Sequence, residues 1–281
     1  MSVIPYRIPS NTFYDPWRKP LFSEYPQINW AHPLAKGLVG CWLFNEGSGN
    51  RVYDLCRSSD GLFANISTGG FVSSERGPAV SLNSSGSSER IGCGVSSALD
   101  VNNRITMMAY VNFRVLANYQ YFFSKGMDVQ YQLDTGGTTG SCCRIVIFNS
   151  AGSAVVNIEG PAGTLVTNKW LQVIGTYDGT NANIYVNGVL AKQGAVADFV
   201  FKATTNPLEL GNCYGNNNGV NCLYLMGGLW NRALTPQEVS QLYQSPYAMF
   251  ERRPYWMDYV AAAGGLSMAV AMHHYKMMRN N

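Results

Sequence analysis

The sequence predicts an all-β fold: a two-sheet antiparallel jelly-roll sandwich with one short C-terminal helix and extended N- and C-terminal arms. Three observations predict it. Short apolar runs with a two-residue period recur through the middle of the 281-residue chain, separated by clusters of Gly, Ser, Asn and Asp. No long segment carries the helical period. Both ends are rich in aromatic residues and the first is rich in proline, which suits extended chain rather than a regular ladder.

Residues 1–36 form the N-terminal arm, where Pro5, Pro9, Pro16, Pro20, Pro26 and Pro33 alternate with Tyr6, Phe13, Tyr14, Trp17, Phe22, Tyr25 and Trp30. Aromatic side chains invite burial, so the arm reads as a segment lying on a surface, either its own or a neighbour's. Residues 37–245 are the sandwich. The run 38–44 opens it, 45–50 turns the chain, and strands follow at 79–82, 105–115, 119–124, 130–133 and 144–148, with 67–74 and 84–88 as surface loops. The clearest stretch is 169–193, a three-strand meander. Leu171, Val173 and Tyr177 alternate, Asp178-Gly179 turns, Ile184 and Val186 alternate again, and Asn187-Gly188 is a strong two-residue hairpin signal. Trp42, Val173, Ile184 or Tyr185, and Trp230 are the expected interior residues.

After a final strand at 223–230 comes the helix. Thr235 is its N-cap, Pro236 its first residue and Glu238 the partner in a capping box, while Val239, Leu242 and Tyr243 form its apolar stripe. Residues 246–281 are the C-terminal arm. Its apolar run, 260–272, is shorter than the ~20 residues that cross a bilayer, so no membrane span is expected.

Charged residues make up 13% of the chain, against roughly 25% in an average soluble domain. The net charge of +3 comes without a Lys/Arg run, which leaves no footprint for nucleic acid. The N-terminus lacks the apolar core of a secretory signal, so the chain is expected to be made in a cytoplasm. Seven cysteines, an odd number, then read as free thiols, with Cys213 and Cys222 the nearest thing to a pair.

The carboxylates in strand positions, Asp128, Asp134, Glu159 and Glu209, stand alone, whereas glycoside hydrolysis needs two acting together. No nucleophile or metal motif replaces them, and the chain reads as a non-enzyme. One loop does offer sugar chemistry: Tyr214 as a stacking ring, with Asn216, Asn217, Asn218 and Asn221 as amide partners. Asn-Gly loops also simply tolerate left-handed turns.

The segment from Trp170 to Leu190, the run 37–49 with Val52-Tyr53-Asp54, and the run from Trp230 to Val239 together resemble the laminin-G-like, concanavalin-A-like lectin/glucanase jelly-roll superfamily. The resemblance implies a calcium site at Asp54 and Asp60. Where such domains often carry acidic residues before the helix, however, this chain has Leu225-Met226-Gly227-Gly228, so no cofactor is expected. The whole arrangement also resembles that of tailed-bacteriophage virion proteins. That implies a capsid decoration or other particle-surface protein in a virion, with the major capsid protein, further copies of itself and a host surface glycan as partners. Tyr14, Trp17, Phe22, Tyr25, Trp30, Phe250, Tyr255, Trp256 and Tyr259 are then its partner-binding aromatics. The other reading is a carbohydrate-binding receptor or adhesin module.

Overall fold

Alternation and turn chemistry carry most of this chain into strands. The computed structural model describes residues 6–9, 16–66, 70–83, 88–215, 218–251 and 256–259. Along the chain run β1 (Tyr6–Pro9), β2 (Leu38–Trp42), β3 (Arg51–Val52), β4 (Gly61–Ala64), β5 (Gly70–Ser74) and β6 (Gly77–Asn83). Then come β7 (Arg90–Gly92), β8 (Ile105–Val115), β9 (Tyr121–Lys125), β10 (Tyr131–Thr135), β11 (Cys143–Phe148) and β12 (Ala154–Glu159). The meander is β13 (Trp170–Tyr177), β14 (Asn181–Val186) and β15 (Val189–Ala195), followed by β16 (Leu208–Leu210), β17 (Asn221–Trp230), the helix α1 (Pro236–Gln244) and β18 (Trp256–Tyr259).

Two compact units result. In one, formed by the terminal segments, β1 pairs antiparallel with β18, Tyr6 opposite Tyr259 and Pro9 opposite Trp256. The other, Pro16–Glu251, is a sandwich of two eight-stranded antiparallel sheets. The first sheet has the order β12-β11-β10-β9-β16-β7-β4-β3; the second runs β15-β14-β13-β8-β17-β6-β5, with β2 added alongside β17. The meander closes as the sequence requires. Asn187 and Gly188 both hold positive φ, 52° and 77°, the geometry that lets two residues join twisted strands.

Each sheet sends alternate side chains into a shared core. Trp42, Val173 and Ile184 lie there with Phe122, Leu133, Ile145 and Leu229. The second sheet is also covered on its outer face, which explains why β8 and β17 read as continuous apolar runs. Met107, Ala109 and Val111 face inward while Met108 and Tyr110 join an outer cluster with Leu34, Tyr185, Trp230, Val239 and Leu242. Tyr185 and Trp230 are thus buried, but on the opposite face from Trp42. Ile184 and Tyr185, like Leu229 and Trp230, are neighbours on a pleated strand and must diverge to opposite faces.

The outer core corrects the span read from sequence, because the compact unit is wider than 37–245. Residues 16–36 form a strap that buries Ile28, Leu34 and Ala35 against the sheet. Trp230 Nε1 donates to Leu34 O at 2.7 Å, and Arg232 donates to Pro33 O and Lys36 O while pairing with Glu238. Lys19, buried in the strap, donates to the carbonyls of Phe44, Pro78 and Leu225. A strap of this kind buries single residues rather than alternate ones, so no period announces it.

The helix follows its sequence signals. Thr235 Oγ1 accepts from Glu238 N at 3.2 Å and Glu238 Oε2 accepts from Thr235 N at 2.9 Å. Val239 and Leu242 are buried and Tyr243 is half-buried. One loop reading fails: of 67–74, residues 70–74 are the edge strand β5 against β6, and 67–69 lie outside the described residues, as do 84–87. None of the seven cysteines is in a disulfide, Cys213 and Cys222 included. No helix among the described residues is long and apolar enough to cross a membrane, and 260–272 lie outside them.

Candidate functional site

Asp54 organises one end of the sandwich. Its Oδ1 accepts from the backbone N–H of Cys41 (2.8 Å) and Cys56 (3.0 Å), and its Oδ2 from Ser58 (2.8 Å) and Ser59 (3.1 Å). Burial raises the Asp54 carboxyl, and these four bonds offset only part of the rise. Asp60 continues the knot, accepting from Asp54 N at 3.0 Å and from Arg51 at 3.1 Å. The calcium site implied for this pair does not fit. Both Asp54 oxygens face inward-pointing N–H dipoles, which repel a cation, and among the described residues no three His, Cys, Asp or Glu converge on one point. The two carboxylates hold a loop.

Between that loop and the strap lies an open groove of about 1080 Å³. Four aromatic residues line it: Phe22 (40% exposed), Tyr25 (67%), Trp30 (59%) and Tyr53 (44%). Phe22 and Tyr53 stack, with centroids 5.7 Å apart and planes 18° off parallel. The strap positions the others. A single 3₁₀ turn, Phe22–Glu24, ends at Tyr25 in the left-handed region (φ 48°), and its amide donates to Phe22 O. Beyond it, Asn29 N donates to Met249 O and Glu251 N to Gln27 O, locking the strap to the end of the unit. Arg57, also left-handed (φ 60°), projects from the Asp54 loop into the same groove.

The sequence-singled residues scatter around this site. Phe22, Tyr25 and Trp30, read as partner-binding, are groove residues, while Trp17 is half-buried edge-on against Tyr243 and Phe250 is buried in the outer core. Trp256 and Tyr259 lie in β18, and Tyr14 and Tyr255 are outside the described residues. The loop of Tyr214 is elsewhere and does not line the groove. Tyr214 is exposed, but the Asn221 amide is already bonded to Asn83 and Arg114, and Asn218 O accepts from Tyr121 N; Asn216 and Asn217 lie outside the described residues. Tyr53 and Arg57 were not singled out. Tyr53 could have been, since it sits inside the Val52-Tyr53-Asp54 motif.

The strand carboxylates have structural partners. Asp134 stands opposite Arg144 in the β10–β11 register and meets it through two bonds of 2.9 Å; burial pushes its carboxyl up to about 6 against the pull of that arginine. Glu209 pairs with Arg90 at 2.8 Å, Glu159 accepts from Thr138 N and Cys142 Sγ, and Asp128 N donates to Gln132.

Two antiparallel sheets packed face to face define a lectin-like sandwich domain, with an aromatic groove at one end. The chain belongs to the concanavalin A-like lectin/glucanases superfamily, whose laminin-G-type model matches residues 83–240. No curated protein matches it in sequence. Among solved structures it is similar to the binding domain of Paraclostridial mosquitocidal protein 1, at 13% identity and TM-score 0.59 over 75% of this chain and 52% of that one. Domain 4 of AbnA, a GH43 extracellular arabinanase from Geobacillus stearothermophilus solved with arabinotriose, matches at 18% identity and TM-score 0.55, covering 73% of this chain and 98% of that domain. The botulinum neurotoxin serotype G binding domain matches at 18% and 0.54, covering 73% of this chain and 50% of that one. This chain therefore spans about half the length of the two toxin domains, and such identities establish the shared fold.

Proposed function

We propose that this domain recognises carbohydrate without altering it, and that the sugar lies in the groove between the strap and the Asp54 loop. The observation that carries the reading is the set of four exposed rings, on Phe22, Tyr25, Trp30 and Tyr53, converging on one groove. Clustered exposed aromatics mark interaction sites, and flat ring faces suit the C–H faces of pyranoses. Gln27, Arg57 and Glu251 stand among them as donors and acceptors for hydroxyls. The arabinanase domain supports the reading, since it shares this fold and was solved with an oligosaccharide. The non-catalytic part rests on Asp134 and Glu209, each paired with an arginine rather than facing a second carboxylate.

A glycan array followed by titration calorimetry tests this. Trp30→Ala and Tyr25→Ala are expected to weaken binding severalfold with an unchanged melting temperature. Variants that bind like the parent reject the groove, and release of reducing sugar that a single Asp or Glu substitution abolishes rejects the non-catalytic part.

The terminal segments favour a particular setting: a structural protein of a bacteriophage virion, a capsid decoration or other surface protein. It docks through its ends on the major capsid protein or on further copies of itself, displaying the sandwich to host glycans. The antiparallel pairing of β1 with β18, which joins the outer parts of the two arms in a unit of their own, supports this setting together with the sequence arrangement. A mass-spectrometric inventory of purified particles tests it, and absence of the chain from them ends it.

A further inference from the structure

Resting on the carbohydrate reading of the groove, we infer that its ligand is an acidic oligosaccharide, and that Arg57 holds the sugar carboxylate. The charges lining the groove point this way. Asp54 is saturated by four backbone N–H groups and Asp60 is occupied by Arg51 and by Asp54 N. Glu46 accepts from Tyr53 N at 2.8 Å and feels the buried Lys19 ammonium. Arg57 is different. It is exposed, and among the described residues its guanidinium has no acceptor. Glu251 also lacks a side-chain partner there, and its carboxylate is a strong acceptor for sugar hydroxyls.

The backbone at Arg57 is fixed where the side chain leaves it. Its φ of 60° is a conformation that L side chains adopt at a cost, and Asp54 pins it from both sides through the N–H groups of Cys56 and Ser58 while Asp54 O accepts from Arg57 N at 2.9 Å. The planar fork of a guanidinium matches a carboxylate through two parallel bonds. The groove's size bears on the ligand too. At about 1080 Å³ it stands at the upper end of the roughly 300–1,000 Å³ of small-molecule pockets and is open, which leaves room for more than one sugar.

Calorimetry on the full chain with matched probes tests the inference: trigalacturonate against its methyl ester, 3′-sialyllactose against lactose, and triglucosamine as a cationic counterpart. An acidic probe is expected to bind about tenfold or more tighter than its neutral match, the scale of one charge-assisted bond pair, with the preference shrinking at high salt. The two acidic probes distinguish uronic from sialic acid. Arg57→Gln should remove the preference. Arg57→Asn, which suits the left-handed backbone, should do the same and controls for loop rearrangement. Trp30→Ala should weaken acidic and neutral probes alike. Equal binding of the matched probes, preference for triglucosamine, or a preference that survives both Arg57 variants overturns the acidic-ligand inference while leaving the groove standing. Failure of every probe to bind overturns both.

Discussion

Lys19 shows how one side chain can tie a segment without period to a sheet. Its ammonium reaches three backbone carbonyls from three parts of the chain, and burial pulls its pKa down to about 7, with Glu46 opposing. An unfolded lysine binds its proton up to about 10.4, so between pH 7 and 10 the unfolded state holds more protons than the folded one. Stability from this group therefore grows as pH rises through that window. Lys19→Met should remove the growth, so that the melting-temperature gap between parent and variant widens from pH 7 to pH 10; a constant gap refutes the burial argument. Asp134 poses the converse case, a buried carboxylate whose partner is half-buried. Asp134→Ala leaves Arg144 without its bidentate acceptor and should cost about 3–5 kcal/mol in chemical denaturation, with Asp134→Asn less severe.

At the scale of elements, turn geometry decides which changes are tolerated. Gly188 holds a positive φ, and a Cβ there would stand 2.9 Å from the Cβ of Tyr243 on α1. Gly188→Ala should therefore destabilise by about 1–3 kcal/mol, more than an ordinary surface exchange, and a urea midpoint within error of the parent would contradict this. The same turn was legible in the sequence because Asn-Gly has few other uses between alternating runs. The helix was legible because Thr235, Pro236 and Glu238 each act locally. Strands β3, β4, β7 and β12 were not, since each is short or edge-lying and carries Gly or polar residues that loops also use. The groove was half legible. Its aromatic residues stood out, but Tyr53 and Arg57 join Phe22, Tyr25 and Trp30 only through the fold, across a separation no local pattern records.

For the whole molecule, the second sheet carries apolar cores on both faces, and only one of them is closed by the other sheet. Ile28, Leu34 and Ala35 of the strap, with Val239 and Leu242 of α1, close the second over Met108, Tyr110, Met226 and Trp230. Burying such side chains stabilises by about 1.5–3 kcal/mol each, comparable in sum to the total stability of a domain. The two parts of the N-terminal segment should therefore differ sharply on truncation. Removing residues 1–15 leaves every contact within Pro16–Glu251 in place, so the melting temperature should stay within about 2 °C, a shift worth less than about 1 kcal/mol. Removing residues 1–36 also strips the Lys19 cradle, the Trp230–Leu34 bond and three buried apolar side chains, and should give a chain that aggregates or melts early in size-exclusion and calorimetric measurements. Equal stability of the two truncations would mean that the sandwich closes its outer face without the strap, and the aromatic groove, one wall of which is that strap, would lose its structural basis.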